Sequence, residues 1–153
     1  MQAIACLAHN KDMEYYCREY QHNDLESLKT LMLELGYSVE LPELRETITE
    51  IYNQRGIIFV SEQGNQVIGS VCVILDARLA EGVCAEIVSL IVSENFRGQG
   101  VGKTLIHVAE EWAKKRVRKI RVRANTIRRA AHSFYESKGF ESIKTQKIFL
   151  KNL

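Results

Sequence analysis

The chain has 153 residues, 46% hydrophobic and 26% charged, with a formal net charge of +2. That length suits one domain able to bury a core without staples, and the balance excludes a disordered or collagen-like chain. No apolar run approaches the roughly 20 residues of a membrane span, and residues 1–16 carry neither a basic-then-apolar leader nor Gly at position 2, so a membrane protein, a secreted precursor and a myristoylated chain are not expected.

Residues 1–13 show no period and read as an N-terminal extension of a single domain spanning 1–153. Residues 15–20 fit a first strand. Asn23, with Glu26 three residues on, resembles a capping box before a helix with apolar residues Leu25, Leu28, Met32 and Leu35, closed by Gly36. A second helix starts at Pro42 with stripe Leu44, Ile48, Ile51 and Tyr52. Residues 57–61 and 67–75 form a hairpin through Gly64-Asn65, and 83–92, apolar on both faces, reads as a buried strand. A helix carrying Leu105, Val108, Ala109 and Trp112 follows, then a strand at 119–124, a helix at 128–138 and a last strand at 143–150. The order β-α-α-β-β-β-α-β-α-β predicts an α/β (α+β) fold, a mixed sheet with helices on both faces.

The four cysteines, at 6, 17, 72 and 84, form no Cys-x-x-Cys pair and lack histidines at zinc spacing, so buried reduced thiols in a cytoplasmic protein and no metal are expected. Nine of the 21 basic residues lie between Lys114 and Arg129. Such a run suits nucleic acid or the phosphates of a small ligand, or it is simply a solvated face. Lys119, Arg121 and Arg123 share one strand face, expected to be open to solvent, a partner subunit or coenzyme phosphates.

Residues 88–104 read VSLIVSENFRGQGVGKT: a buried strand, a loop, then three alternating glycines opening a helix. Glycines let a backbone approach a ligand closely, and free N–H groups at a helix start favour anions. A nucleotide P-loop ends in Gly-Lys-Thr as here but needs glycine at position 97, which is arginine. The dinucleotide fingerprint fails in both registers. Arg97-Gly98-Gln99-Gly100-Val101-Gly102 does fit the pattern Arg/Gln-x-x-Gly-x-Gly/Ala after a buried strand.

That motif, with Ala85-Glu86-Ile87-Val88-Ser89-Leu90-Ile91-Val92 before it and Ala131-His132-Ser133-Phe134-Tyr135-Glu136-Ser137-Lys138-Gly139-Phe140 downstream, resembles the GNAT superfamily of acetyl-CoA-dependent N-acetyltransferases. The likeness extends over about residues 15–153. Residues 128–135 and the closing Lys147-x-Phe149-x-Lys151-x-Leu153 are closest to bacterial members acting on small molecules; one departure is Arg128, where many members have asparagine. The resemblance implies a mostly antiparallel sheet with a central splayed strand pair. It implies acetyl-CoA as co-substrate, its pyrophosphate on the amides of Arg97, Gly98, Gln99, Gly100, Val101 and Gly102 beside Lys103, and its pantetheine arm along Leu90, Ile91 and Val92. It also implies a small-molecule or peptide amine acceptor in a groove from residues 23–54, with room for a homodimer and no membrane or nucleic-acid partner.

Acetyl transfer to an amine must remove an ammonium proton, protonate the departing thiolate and stabilise an oxyanion. Tyr135, where the family's tyrosine lies, is the expected general acid; its neutral O–H donates at physiological pH. Glu86, the single charge in 84–92, is the expected general base, with His132 a weaker candidate, and a backbone N–H near Leu90 and Ile91 serves the oxyanion. Cys84 reads as a packing residue, not a nucleophile. The alternative is a non-catalytic module binding acyl-CoA or nucleic acid through 114–129.

Overall fold

The computed structural model describes residues 6–7 and 15–153; most of the proposed 1–13 extension lies outside the described residues. The chain divides into two compact units, residues 1–122 and 123–153.

The first unit holds a six-stranded sheet in the order β1-β2-β3-β4-β5-β6. Its strands are β1 (Cys6–Leu7), β2 (Tyr16–Glu19), β3 (Ile57–Gln63), β4 (Gln66–Arg78), β5 (Gly82–Val92) and β6 (Ile120–Val122). The first four pairings are antiparallel and β5/β6 is parallel. The expected hairpin turn at Gly64-Asn65 joins β3 to β4, with Gln63 opposite Gln66.

Strand alternation sorts the core into two layers. Ile58, Val60, Cys72 and Ile91 face α1 (Leu25–Glu34) and α2 (Leu41–Asn53), which contribute Leu25, Leu28, Leu31, Leu44 and Ile48 to one buried cluster. On the opposite face, α3 (Val101–Lys114) packs over Gly69, where a Cβ would lie 3.2 Å from Val101 and 3.1 Å from Leu105. Each fully buried aliphatic side chain of this kind contributes about 1.5–3 kcal/mol against exposure.

Two details differ from the sequence reading. The entry to α1 is set by Asp24 rather than Asn23: its carboxylate accepts the Gln21 N–H at 2.7 Å and grips Arg18 through both oxygens, at 2.7 and 2.8 Å, while Arg18 also reaches Glu62. Second, residues 141–153 form no helix or strand. The β-formers there do not alternate strictly, since Ile148, Phe149 and Leu150 are consecutive, so no one face is defined for a ladder. The second unit's regular element is α4 (Arg129–Ser137).

Candidate functional site

β5 carries the geometry. Cys72 pairs with Ser89 and Val73 with Ile87, so Val88 is an extra residue in a β-bulge. Half exposed, Val88 lines an open groove of about 550 Å³ with Ile74 of β4 and Glu46, Thr47, Glu50, Ile51 and Gln54 of α2 and its end. β6 pairs with β5 only at Ala85, Ile87 and the Glu86 between them. Beyond Ile87, no described strand lies on the outer edge of β5, which continues through Leu90, Ile91 and Val92. Ile91 turns its side chain into the α1/α2 core and is 1% exposed.

The loop after β5 is tied down residue by residue. Glu34, the last residue of α1, accepts the Ser93 hydroxyl at 3.0 Å and the Glu94 N–H at 2.9 Å. Arg97 Nε donates to the Val92 carbonyl at 3.0 Å, and Gln99 Nε2 to the Asn95 carbonyl at 3.0 Å. The Arg97 side chain therefore closes the loop upon β5, and the Val92 carbonyl is engaged by this chain's own guanidinium.

Gly98 and Gly100 adopt φ values of +72° and +87°, the left-handed region that other residues enter at a cost. A Cβ at Gly98 would meet nothing within 4 Å, so the turn's outer side is open. α3 begins at Val101, whose side chain is buried while Lys103 is exposed. The first N–H groups of a helix have no intrahelical acceptor, so this turn presents donors at a positive helix end. A diphosphate fits such an open donor-bearing cradle.

Glu86 is 5% exposed, and its Oε2 accepts from Arg121 Nε at 3.1 Å and also from Nη2. Arg121 reaches Asp76 and Glu81 as well, the latter at 3.1 Å, and its bonds to Glu86 and Asp76 hold the guanidinium firmly in the charged form. This corrects the expectation of an open basic face: Lys119 and Arg123 are exposed, but Arg121 is neutralised in an acidic cluster. Elsewhere in the run, Lys114 pairs with Glu111 and Arg116 lies over the Trp112 ring.

Tyr135 belongs to the second unit, on α4, edge-on to Phe134 and Phe140 with ring centroids 5.3 and 5.6 Å away. Burial pushes its phenol pKa up, partly countered by Arg128, so the O–H persists to higher pH than in a free tyrosine. His132 Nε2 donates to the Asn125 carbonyl at 2.8 Å, which occupies that nitrogen. Sequence reasoning missed Tyr15 and the loop-anchoring role of Glu34, both of which act across long sequence separations. The splayed strand implied by the resemblance is present as the bulge, whose position at Val88 the sequence did not give. Among the described residues no His/Cys/Asp/Glu cluster could hold a metal ion. Nor is any described helix long and apolar enough to cross a membrane.

Comparison with known proteins places this geometry. An uncharacterized N-acetyltransferase of Methanocaldococcus jannaschii is 40% identical over 68 residues, 44% of this chain and 30% of that protein's length. A putative acetyltransferase from Agrobacterium tumefaciens superposes with a TM-score of 0.77 at 25% identity, covering 88% of this chain and 99% of the other. AAC(6')-Iy, solved in complex with the bisubstrate analogue CoA-S-monomethyl-acetylneamine, gives a TM-score of 0.81 at 18% identity, with 92% and 99% coverage. Residues 14–140 match the Acetyltransferase (GNAT) family, and with the bulged β5, its free edge and the glycine turn, the chain belongs to that family.

Proposed function

We propose that this protein transfers the acetyl group of acetyl-CoA directly to a primary amine. The observation that carries the reading is one continuous path: a bulged strand with no described strand on its outer edge at Leu90 and Ile91 runs into the donor-bearing turn at Gly98 and Gly100. Family membership supports acetyl-CoA as the donor.

In this reading the amides of Gly98, Gln99, Gly100, Val101 and Gly102 bind the diphosphate, with Lys103 nearby. The free edge of β5 takes the amide-bearing arm as an added strand would. An N–H near Leu90 and Ile91 faces the developing oxyanion; such a donor is worth about 10²–10³ in rate. Glu86 takes the ammonium proton, its carboxylate fixed in place by Arg121, and Tyr135 gives a proton to the departing sulfur. The acceptor enters the groove between α2 and Val88, where Glu46 and Glu50 favour a cationic molecule over an anionic one. The aminoglycoside enzymes among its structural neighbours act on amines of that kind. A cytoplasmic location and a homodimer are part of the same proposal.

The test is release of free CoA thiol from acetyl-CoA by the purified chain with a panel of mono- and polyamines, together with detection of the acetylated amine. Amine-dependent release with a matching acetylated product supports the reading. Acetyl-CoA binding without release on any amine would favour the non-catalytic acyl-CoA-binding alternative.

A further inference from the structure

Beneath the glycine turn lies a tyrosine that the proposed chemistry leaves unused. Tyr15 is 4% exposed, and its single Oη proton is shared between Thr104 Oγ1 at 3.2 Å and the Gln99 carbonyl at 3.5 Å. Thr104, 8% exposed, donates its hydroxyl to the Gly100 carbonyl at 3.2 Å, and its backbone N–H reaches the same carbonyl at 3.1 Å. A Cβ on Gly100 would sit 3.1 Å from Tyr15 Oη, so the turn rests directly on the phenol. The lead-in to β2 and the start of α3, 84 and 89 residues apart, thus meet under the turn.

The consequence follows from peptide geometry. In a trans peptide the C=O and the N–H of one plane point in opposite directions. Holding the Gln99 carbonyl toward Tyr15 turns the Gly100 N–H away from it. Holding the Gly100 carbonyl toward Thr104 does the same for the Val101 N–H. We infer that Tyr15, acting through Thr104, is a positioning residue that aims the Gly100 and Val101 amides outward at the diphosphate of the coenzyme. The inference rests on the proposed coenzyme site. Tyr15 touches no reacting atom; it sets two donors in advance, so that binding does not have to order them.

The test uses the full-length chain, coenzyme A as the probe, calorimetric titration and the amide spectrum of the isotope-labelled protein. Wild type should show the Gly98, Gly100 and Val101 amides shifting with coenzyme A, along with Leu90, Ile91 and Val92. If the turn amides stay unmoved in wild type, the coenzyme site itself is misplaced and the inference falls with it. Tyr15→Phe keeps the ring and removes the hydroxyl. It should raise the coenzyme A Kd about 3–10-fold, the worth of one hydrogen bond. At saturation, the Gly100 and Val101 shifts should shrink while those of Leu90–Val92 persist. Unchanged affinity and shifts in Tyr15→Phe would overturn the inference. Equal loss of both sets of shifts would overturn it too, since that marks a general loss of fold. Thr104→Val cuts the same relay from the other side and should give the same selective pattern, so it carries the comparison if Tyr15→Phe folds poorly. The double variant should bind no more weakly than the weaker single variant, as coupled residues do.

Discussion

Alanine at Gly98 and at Gly100 separates two costs that the turn combines. Both glycines sit in the left-handed region, at φ +72° and +87°, so either alanine incurs the strain of an L-residue there, about 1–2 kcal/mol. At Gly98 that is the whole effect, because the new methyl meets nothing within 4 Å. At Gly100 the methyl would sit 3.1 Å from Tyr15 Oη, and Tyr15 is buried and bonded to Thr104. Moving Tyr15 aside gives up a buried hydrogen bond, about 1 kcal/mol more. Gly100→Ala should therefore cost about 2–3 kcal/mol in urea unfolding and Gly98→Ala about 1–2. Coenzyme affinity should follow a different order. The Gly98 methyl projects into the open side of the turn, so Gly98→Ala should weaken coenzyme A binding out of proportion to its small effect on stability. Equal destabilisation by the two alanines would refute the Tyr15 contact, and full coenzyme affinity in Gly98→Ala would refute the use of the turn's open side.

Three further outcomes follow from the same geometry. Tyr135→Phe should leave folding and coenzyme binding intact and lower turnover about 10–10⁴-fold, and because burial raises the Tyr135 pKa, wild-type turnover should lose this acid at a higher pH than a free tyrosine would; equal turnover in both proteins would show that the phenol only packs. Glu86→Gln should lower kcat about 10²–10⁴-fold with the fold kept, since Arg121 retains Asp76 and Glu81 as partners; a pH–rate profile and kcat like wild type would exclude Glu86 as the base. Burial pushes the Cys72 thiol up from 9.0 to about 12, so its neutral form is favoured in the fold. Stability from this group is complete below pH 9 and lost as pH rises toward 12, amounting to about 1.4 kcal/mol at pH 10. Cys72→Val should show that much less alkaline destabilisation between pH 8 and 10, and identical slopes would contradict the burial argument.

The elements that sequence alone defined best are those whose signals are local. The stripe of α2, the Gly64-Asn65 turn and the glycine turn each depend on neighbours within a few residues, and each lies where periodicity put it. Most of the errors and omissions share one cause, a partner distant in sequence. Alternation correctly put Arg121 on the same face as Lys119 and Arg123. It could not reveal that Asp76, Glu81 and Glu86 converge on that guanidinium from β4, β5 and the turn between them. Asn23 read as the cap, but it is the Asp24 carboxylate that takes the Gln21 N–H and pairs with Arg18. Tyr15 read as the start of a strand because nothing nearby marks it as the floor of a turn 84 residues later. The register shift at Val88 is a property of two strands together, and the sequence of β5 alone does not specify it. The strand expected at 143–150 rested on composition without strict alternation, and no strand forms there.

The central claim is that the glycine turn and the free edge of β5 together hold the acetyl donor. A crystal structure of the protein grown with coenzyme A tests it most directly. The account predicts the diphosphate on the amides of Gly98, Gly100 and Val101, and the arm hydrogen-bonded along Leu90, Ile91 and Val92. Coenzyme A bound instead along the basic residues between Lys114 and Arg129, with the glycine turn empty, would contradict it.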